Sequence, residues 1–312
     1  MPASDVLRWA SERLSMAENN NLNDVYAVVL VGGKGKRLRP LSTDIRPKAF
    51  LSITRDGKTM FGRTVDRISR IIPESRITVV ANSSHARLVK KYFKGISEDN
   101  LLLEPVSRNT APAVAYASSV LNARNSGAVL VVLPADHYVT RIKDYLDVLR
   151  RGIDFAKENE AVVSIGIDPK SPSTEYGYIR IHCKTKREKV CKVEKFTEKP
   201  DFKTAKGYMK SGHYLWNSGI FIFKASVMLK LVKLYAPEIN SVLAEKGGAA
   251  KAYHKFPDIS LDYSIMEKAH NVYCVKGDYG WKDIGGFDSL KAVLRRESRC
   301  FIEKGGKVVE IL

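Results

Sequence analysis

The chain has no apolar run of the ~18 residues that a membrane-crossing helix needs. Its first residues, MPASDVLRWASERL, carry charges throughout, where a secretory signal would have an apolar core. A cytoplasmic protein that does not enter a membrane is expected. Only four cysteines occur in 312 residues, Cys183, Cys191, Cys274 and Cys300, and none stands in a CxxC pair. That spacing argues against a zinc site and against a disulfide framework. Cys183 and Cys191 flank a turn and would face each other across a hairpin, but cytosolic thiols usually stay reduced, so free thiols are expected. There is no internal repeat and no low-complexity linker. Acidic residues are scarce beside basic ones, 34 against 52, which leaves a formal charge of +18. Such a balance favours anionic partners. The basic residues are scattered rather than gathered in one tail, and no DNA or RNA reader motif is seen. A solvated lysine surface is therefore preferred to a nucleic-acid surface.

What is present points to one large α/β unit. The chain is 44% hydrophobic, enough for a sizeable core. Residues 4–16 read as a short amphipathic helix with Leu7, Ala10 and Leu14 on one face, in an N-terminal extension over 1–22. From Tyr26 on, the runs VYAVVLV, RITVVAN, AVLVVLPAD and AVVSIGI are short and rich in Val and Ile. Continuous apolar runs of that length fit strands buried on both faces. Between them MFGRTVDRISRII, SHARLVKKYF and TAPAVAYASSVLNAR read as helices, the last with Asn109 or Thr110 as cap and Pro112 in its first turn. The alternation predicts a doubly wound, mostly parallel, Rossmann-like sheet. After about residue 170 the texture becomes α+β: a hairpin with a basic turn (YGYIRIHCKTKREKVCKVEKF), a strand at SGIFIF, and a helix with Met228, Leu231, Val232 and Tyr235 on one side. The main domain is expected over 23–295, with a short β segment over 296–312 that packs on the body or pairs across a homodimer.

VVLVGGKGKRLRPLS, from Val28, puts a glycine-rich cationic turn directly after the first strand. The carboxyl end of such a strand is where open α/β sheets bind ligands. Gly32, Gly33 and Gly35 allow a close backbone approach and aim N–H groups at an anion. Arg37 adds a planar fork of donors suited to phosphate. A Walker A loop is excluded because Gly35-Lys36 is followed by Arg37, and the dinucleotide fingerprint fails because Leu38 stands where its third glycine would be.

The stretch GGKGKRLRPLSTDIRPKAF resembles the signature loop of the sugar-phosphate nucleotidyltransferases. EPVSRNTAPAVAYA from Glu104, LPADHYV from Leu133, KFTEKP from Lys195, YLWNSGIFIF from Tyr214, SLDYSIMEKA from Ser260 and GWKDIGGFDSL from Gly280 resemble its mannose-1-phosphate guanylyltransferase branch, in the family's order over residues 25–290. Departures are Arg39 where relatives often carry Trp, Lys36 where they carry Thr, and DIGGF for the commoner DVGSW. The resemblance implies transfer of GMP from GTP to mannose 1-phosphate, giving GDP-mannose and pyrophosphate. The alternatives are a glucose 1-phosphate enzyme using UTP or dTTP, and a non-catalytic GDP-mannose-binding regulatory homologue. The second is disfavoured because Arg37, Asp136, Lys199 and Asp283 are all present.

The resemblance also implies roles. Asp136 and Asp283 would hold Mg²⁺ against the phosphates, in keeping with that ion's preference for a few carboxylates plus phosphate and water oxygens. Arg37 would stabilise the leaving pyrophosphate, and Lys48 would assist on the phosphates. Glu104, Arg108, Asn109 and Thr110 lie near base and ribose, where Glu104 either accepts from the guanine amino group or pairs with Arg108. Lys199 would grip the sugar phosphate, Glu198 and Asn217 would bond the sugar, and Gly177 would offer backbone. Adjacent strand residues point to opposite faces, so Glu198 and Lys199 reach one ligand only if the chain bends there, which Pro200 encourages. His137 is read as structural and Trp216 as core.

Overall fold

Strand β1, Val25–Val31, shows why its sequence is apolar at nearly every position. Val25, Ala27, Val29 and Val31 point into one hydrophobic layer, while Val28 points into the other. The same alternation holds in β4 (Val129–Pro134), where Val129, Val131 and Leu133 face one layer and Leu130 and Val132 face the other. Side chains with period two must cover both faces of a central sheet when helices lie on each side. The computed structural model describes residues 22–33, 35–54, 56–185, 188–297, 300–304 and 307–311. The predicted helix over 4–16 lies outside the described residues.

Between β1 and β4 come β2 (Ile77–Asn82) and β3 (Leu101–Glu104). After them come β5 (His137–Tyr138), β6 (Val162–Ile167), β7 (Tyr178–His182), β8 (Val190–Thr197), β9 (Tyr214–Lys224), β10 (Val272–Gly277) and β11 (Lys282–Asp283). The main sheet has nine strands in the order β3-β2-β1-β4-β9-β6-β10-β8-β7, with β9 also meeting β7. One face carries helices α1 (Met60–Ile68), α2 (Ala86–Tyr92) and α4 (Ile142–Glu158), whose Phe61, Val65, Val89, Leu149 and Ile153 share the first layer. The other carries α3 (Thr110–Arg124), α6 (Ala225–Tyr235) and α7 (Pro237–Leu243), through Val114, Leu121, Met228, Val232 and Ile239. Helix α5 is Phe202–Ser211 and α8 is Phe287–Arg296. The last two strands, β12 (Cys300–Lys304) and β13 (Lys307–Ile311), pair with each other antiparallel.

The α/β class and the helices on both faces agree with expectation; a mostly parallel sheet does not. Strands β3, β2, β1 and β4 are parallel neighbours, as are β6 and β10. Strand β9 runs antiparallel between β4 and β6, and β7 and β8 form an antiparallel hairpin. The sheet is therefore mixed. Its direction reverses at β9, which the chain enters from β8 through α5 and which lies between β4 and β6.

A further finding corrects the sequence reading. Cys183 and Cys191 are joined by a disulfide, with Cα atoms 4.7 Å apart at the tip of the β7–β8 hairpin. The turn brings the two residues side by side, whatever the compartment favours. Cys274 is buried as a free thiol. Among the described residues no helix is long and apolar enough to cross a membrane.

A third, smaller apolar cluster fixes the functional end. It unites Leu38, Leu41, Leu51 and Ile53 of the loop after β1 with Tyr138 of β5 and with Ile284, Leu290 and Val293 around the start of α8. Residues more than 200 positions apart are thereby clamped at the carboxyl ends of the parallel strands.

Candidate active site

The site begins with a two-residue ladder. Strands β5 and β11 pair antiparallel, with Asp283 opposite His137. This sets Asp136 and Asp283 beside one another, as the resemblance requires. Lys48 lies between them: its Nζ is 2.7 Å from Asp136 Oδ2 and 2.7 Å from Asp283 Oδ1. Burial pushes the Asp136 carboxyl up, but the Lys48 charge and hydrogen bond outweigh it and leave it below the ordinary carboxylate range. For Lys48 burial works against the charge, and the two acids more than restore it, so its ammonium is held well above its usual range.

Gly35 explains how Lys48 gets there. Its φ of 60° is left-handed, and a Cβ on it would come 2.9 Å from Lys48 Cβ. Ser42 Oγ donates to Gly35 O at 2.6 Å and pins the turn. From the other side, Thr64 Oγ1 of α1 donates to Ala135 O at 3.2 Å and Arg67 to His137 O at 3.1 Å. The turn bearing Asp136, between β4 and β5, is thus tied by its backbone to a helix behind it. His137 is buried edge-on to Trp281 at 5.4 Å, and burial drops its imidazole to about 4. Its side chain is neutral at neutral pH, in keeping with a structural role.

A cleft of about 480 Å³ opens beside these groups. Gly32, Gly33, Glu104, Asn109, Thr110 and Asp136 line it, together with Asp262. The Asn109 side chain caps α3 by accepting from Thr110 N at 3.0 Å. Thr110 Oγ1 in turn accepts from Leu261 N at 2.9 Å, which brings the 259–262 stretch to the cleft. Glu104 does not pair with Arg108. Its carboxylate accepts from the Tyr253 hydroxyl, and burial raises its pKa. Arg108 instead donates to His254 O at 2.6 Å, so of the two readings of Glu104 the ion pair is excluded.

The expected sugar residues form a second group. Asn217 N donates to Gly177 O at 2.8 Å, and a Cβ on Gly177 would lie 2.6 Å from Glu198 Oε2. Lys199 has φ 40°, so the chain bends after β8 and the strand alternation is broken. Glu198 and Lys199 consequently meet in an ion pair on one side. Asp262, to which sequence reasoning gave no role, joins the two groups. Asn217 Nδ2 donates to its Oδ1 at 2.8 Å, and burial with the nearby Glu198 charge lifts its carboxyl to about 6. The one available signal was its place in SLDYSIMEKA. Arg37 is not in the main cleft. It is half exposed, ion-paired with Glu175, in a neighbouring hollow with Tyr176 and the start of α8. Trp216 is core, as expected, packed edge-on to Tyr176 at 5.0 Å.

A cleft with a glycine turn on its wall and a pair of acids at its edge suits a phosphate ester with a hard cation. The family model for nucleotidyl transferase matches residues 26–298. The chain belongs to the nucleotidyl transferase family. The mannose-1-phosphate guanylyltransferase of Escherichia coli is 34% identical over 289 residues, covering 87% of this chain and 62% of that protein. The mannose-1-phosphate guanylyltransferase RfbM of Salmonella typhimurium is 35% identical over 294 residues, covering 89% and 60%. The chain thus spans about three fifths of the length of these curated relatives. A crystal structure of a mannose-1-phosphate geranyltransferase from Thermus thermophilus is similar with a TM-score of 0.79 at 36% identity, covering 87% of this chain and 79% of that one. The family expected from the motifs is the family found.

Proposed function

We propose that this nucleotidyl transferase moves GMP from GTP to mannose 1-phosphate, releasing GDP-mannose and pyrophosphate. The observation that carries the reading is the convergence of Lys48, Asp136 and Asp283 at 2.7 Å contacts, at the edge of a cleft floored by Gly32 and Gly33. The names of the relatives supply the sugar and the base.

In this reading the sugar phosphate oxygen attacks the α-phosphorus in line, a new P–O bond forms, and the α–β bridging bond breaks with its electrons going to pyrophosphate. No strong general base is needed, because the attacking oxygen is already anionic. Positioning and charge neutralisation therefore carry the rate. Asp136 and Asp283 fit Mg²⁺: both are carboxylates, and a cation already touches both. Mg²⁺ bound there would neutralise phosphate oxygens as charge develops. Gly32, Gly33 and Gly35 bring backbone N–H groups to the triphosphate, and Lys48 and Arg37 add cations. Asn109 and Thr110 set the base and ribose end, with Glu104 as an acceptor and Arg108 behind them. Gly177, Glu198, Asn217 and Lys199 hold the sugar phosphate, and Asp262 adds a further acceptor. A cytoplasmic location is part of the proposal.

The test is pyrophosphate release with GTP, ATP, UTP and dTTP, each crossed with mannose and glucose 1-phosphates. A rate at least tenfold higher for GTP with mannose 1-phosphate supports the reading; preference for UTP or dTTP with glucose 1-phosphate replaces it.

A further inference from the structure

Lys48 is 8% exposed, and both of its ion pairs go to the same two acids. Those acids come from separate stretches that the short β5–β11 ladder brings side by side. Two carboxylates this close repel, and a buried carboxylate without a counter-charge is costly. The ammonium between them removes both problems. Gly35 gives Lys48 the room to stand there, and the cluster of Leu38, Leu51, Ile284 and Leu290 holds the two sides together.

We propose that Lys48 is a built-in stand-in for a divalent cation, holding Asp136 and Asp283 together in the free protein and giving them up when the ion binds. The inference rests on the functional reading above, which assigns the divalent ion to these carboxylates. A divalent ion needs the same oxygens that Lys48 now contacts, so the two cations compete. Once displaced, the ammonium finds a new anion in the triphosphate. Ion and nucleotide then favour each other's binding through one side chain, and the coupling is reciprocal.

Mn²⁺ alone is the probe, with the free ion followed by electron paramagnetic resonance in the full chain without nucleotide. Lys48→Met, which keeps the apolar stem, is expected to bind Mn²⁺ at least tenfold more tightly than wild type. Equal or weaker binding overturns the proposal, because the lysine would then be organising the acids for the ion. Lys48→Gln repeats the test if the first variant does not fold. A measurement on the wild type needs no variant: acetylation of the Lys48 amine, read by mass spectrometry, is expected to speed up several-fold when Mn²⁺ is added. No change overturns the proposal. Pyrophosphate release is scored separately. A chain that transfers no nucleotide but shows both Mn²⁺ responses sinks the functional reading alone; a chain that transfers GMP without them sinks this inference alone.

Discussion

At the residue scale, Asp136 and Asp283 carry the largest share of the proposed chemistry. Changing either to Asn removes a charge that balances Lys48 and, in the proposed reaction, a ligand of the divalent ion. The other acid still pairs with Lys48, so the fold is kept. Turnover of Asp136→Asn or Asp283→Asn is expected to fall by ~10²–10³, the loss typical of a removed electrostatic group, with an unchanged circular dichroism spectrum. Near wild-type rates would disprove the assignment. Asp262 carries a different signature. Its carboxyl is raised to about 6 in the folded chain, mainly by burial and then by Glu198. A raised carboxyl binds its proton more tightly when folded. Its contribution to stability is thus full below the unfolded pKa near 4 and is lost as pH rises through about 6. Asp262→Asn is expected to flatten that part of the stability curve, by about 1–2 kcal/mol after screening by cleft water. Denaturant unfolding at pH 4 and pH 7 measures it. An unchanged difference between the two pH values would show that Asp262 is not perturbed.

At the scale of elements, the parts with strong local signals were legible. The first strand and helix α3 fall on VYAVVLV and TAPAVAYASSVLNAR, because one is an unbroken run of β-branched, aliphatic and aromatic residues and the other is preceded by its own cap, Asn109. Strand direction was not legible, because whether β9 runs with or against β4 depends on the path of the chain and not on residue pattern. The pairing of β5 with β11 was equally hidden, as two residues on each side carry no periodicity. The motifs named the candidate residues other than Asp262, but the Lys48 bridge and the pairing of Arg37 with Glu175 were not legible in them. Both are contacts between distant segments. The loop after β1 is where local backbone and distant packing meet. Gly35→Ala places a side chain at φ 60°, which costs about 1 kcal/mol, and sets its Cβ against Lys48 and Ser42. Stability is expected to drop by about 1–2 kcal/mol, while kcat/KM falls more than tenfold because Lys48 is displaced. If activity and stability fell in step, the glycine would serve the fold alone.

Seen as a whole molecule, the charge of +18 is not concentrated in the cleft. Arg37 pairs with Glu175, Lys48 with Asp136 and Asp283, and Lys199 with Glu198. Asp262 and Glu104 add further acids to the lining. Each cation proposed to meet a phosphate already has a carboxylate partner, so phosphate binding is an exchange of anions and not the filling of a bare positive well. Exchange largely cancels the long-range term that salt screens, whereas scattered exposed lysines keep theirs. Raising NaCl from 50 to 200 mM is therefore expected to change the KM for GTP by less than about threefold. Binding of random duplex DNA, which depends on neutralising many phosphates at once, should fall by ~10²-fold or more over the same range. Steady-state kinetics and fluorescence anisotropy read the two effects. A KM for GTP as salt-sensitive as DNA binding would mean that the cleft attracts nucleotide through the net charge of the chain, and that its internal ion pairs do not shield it.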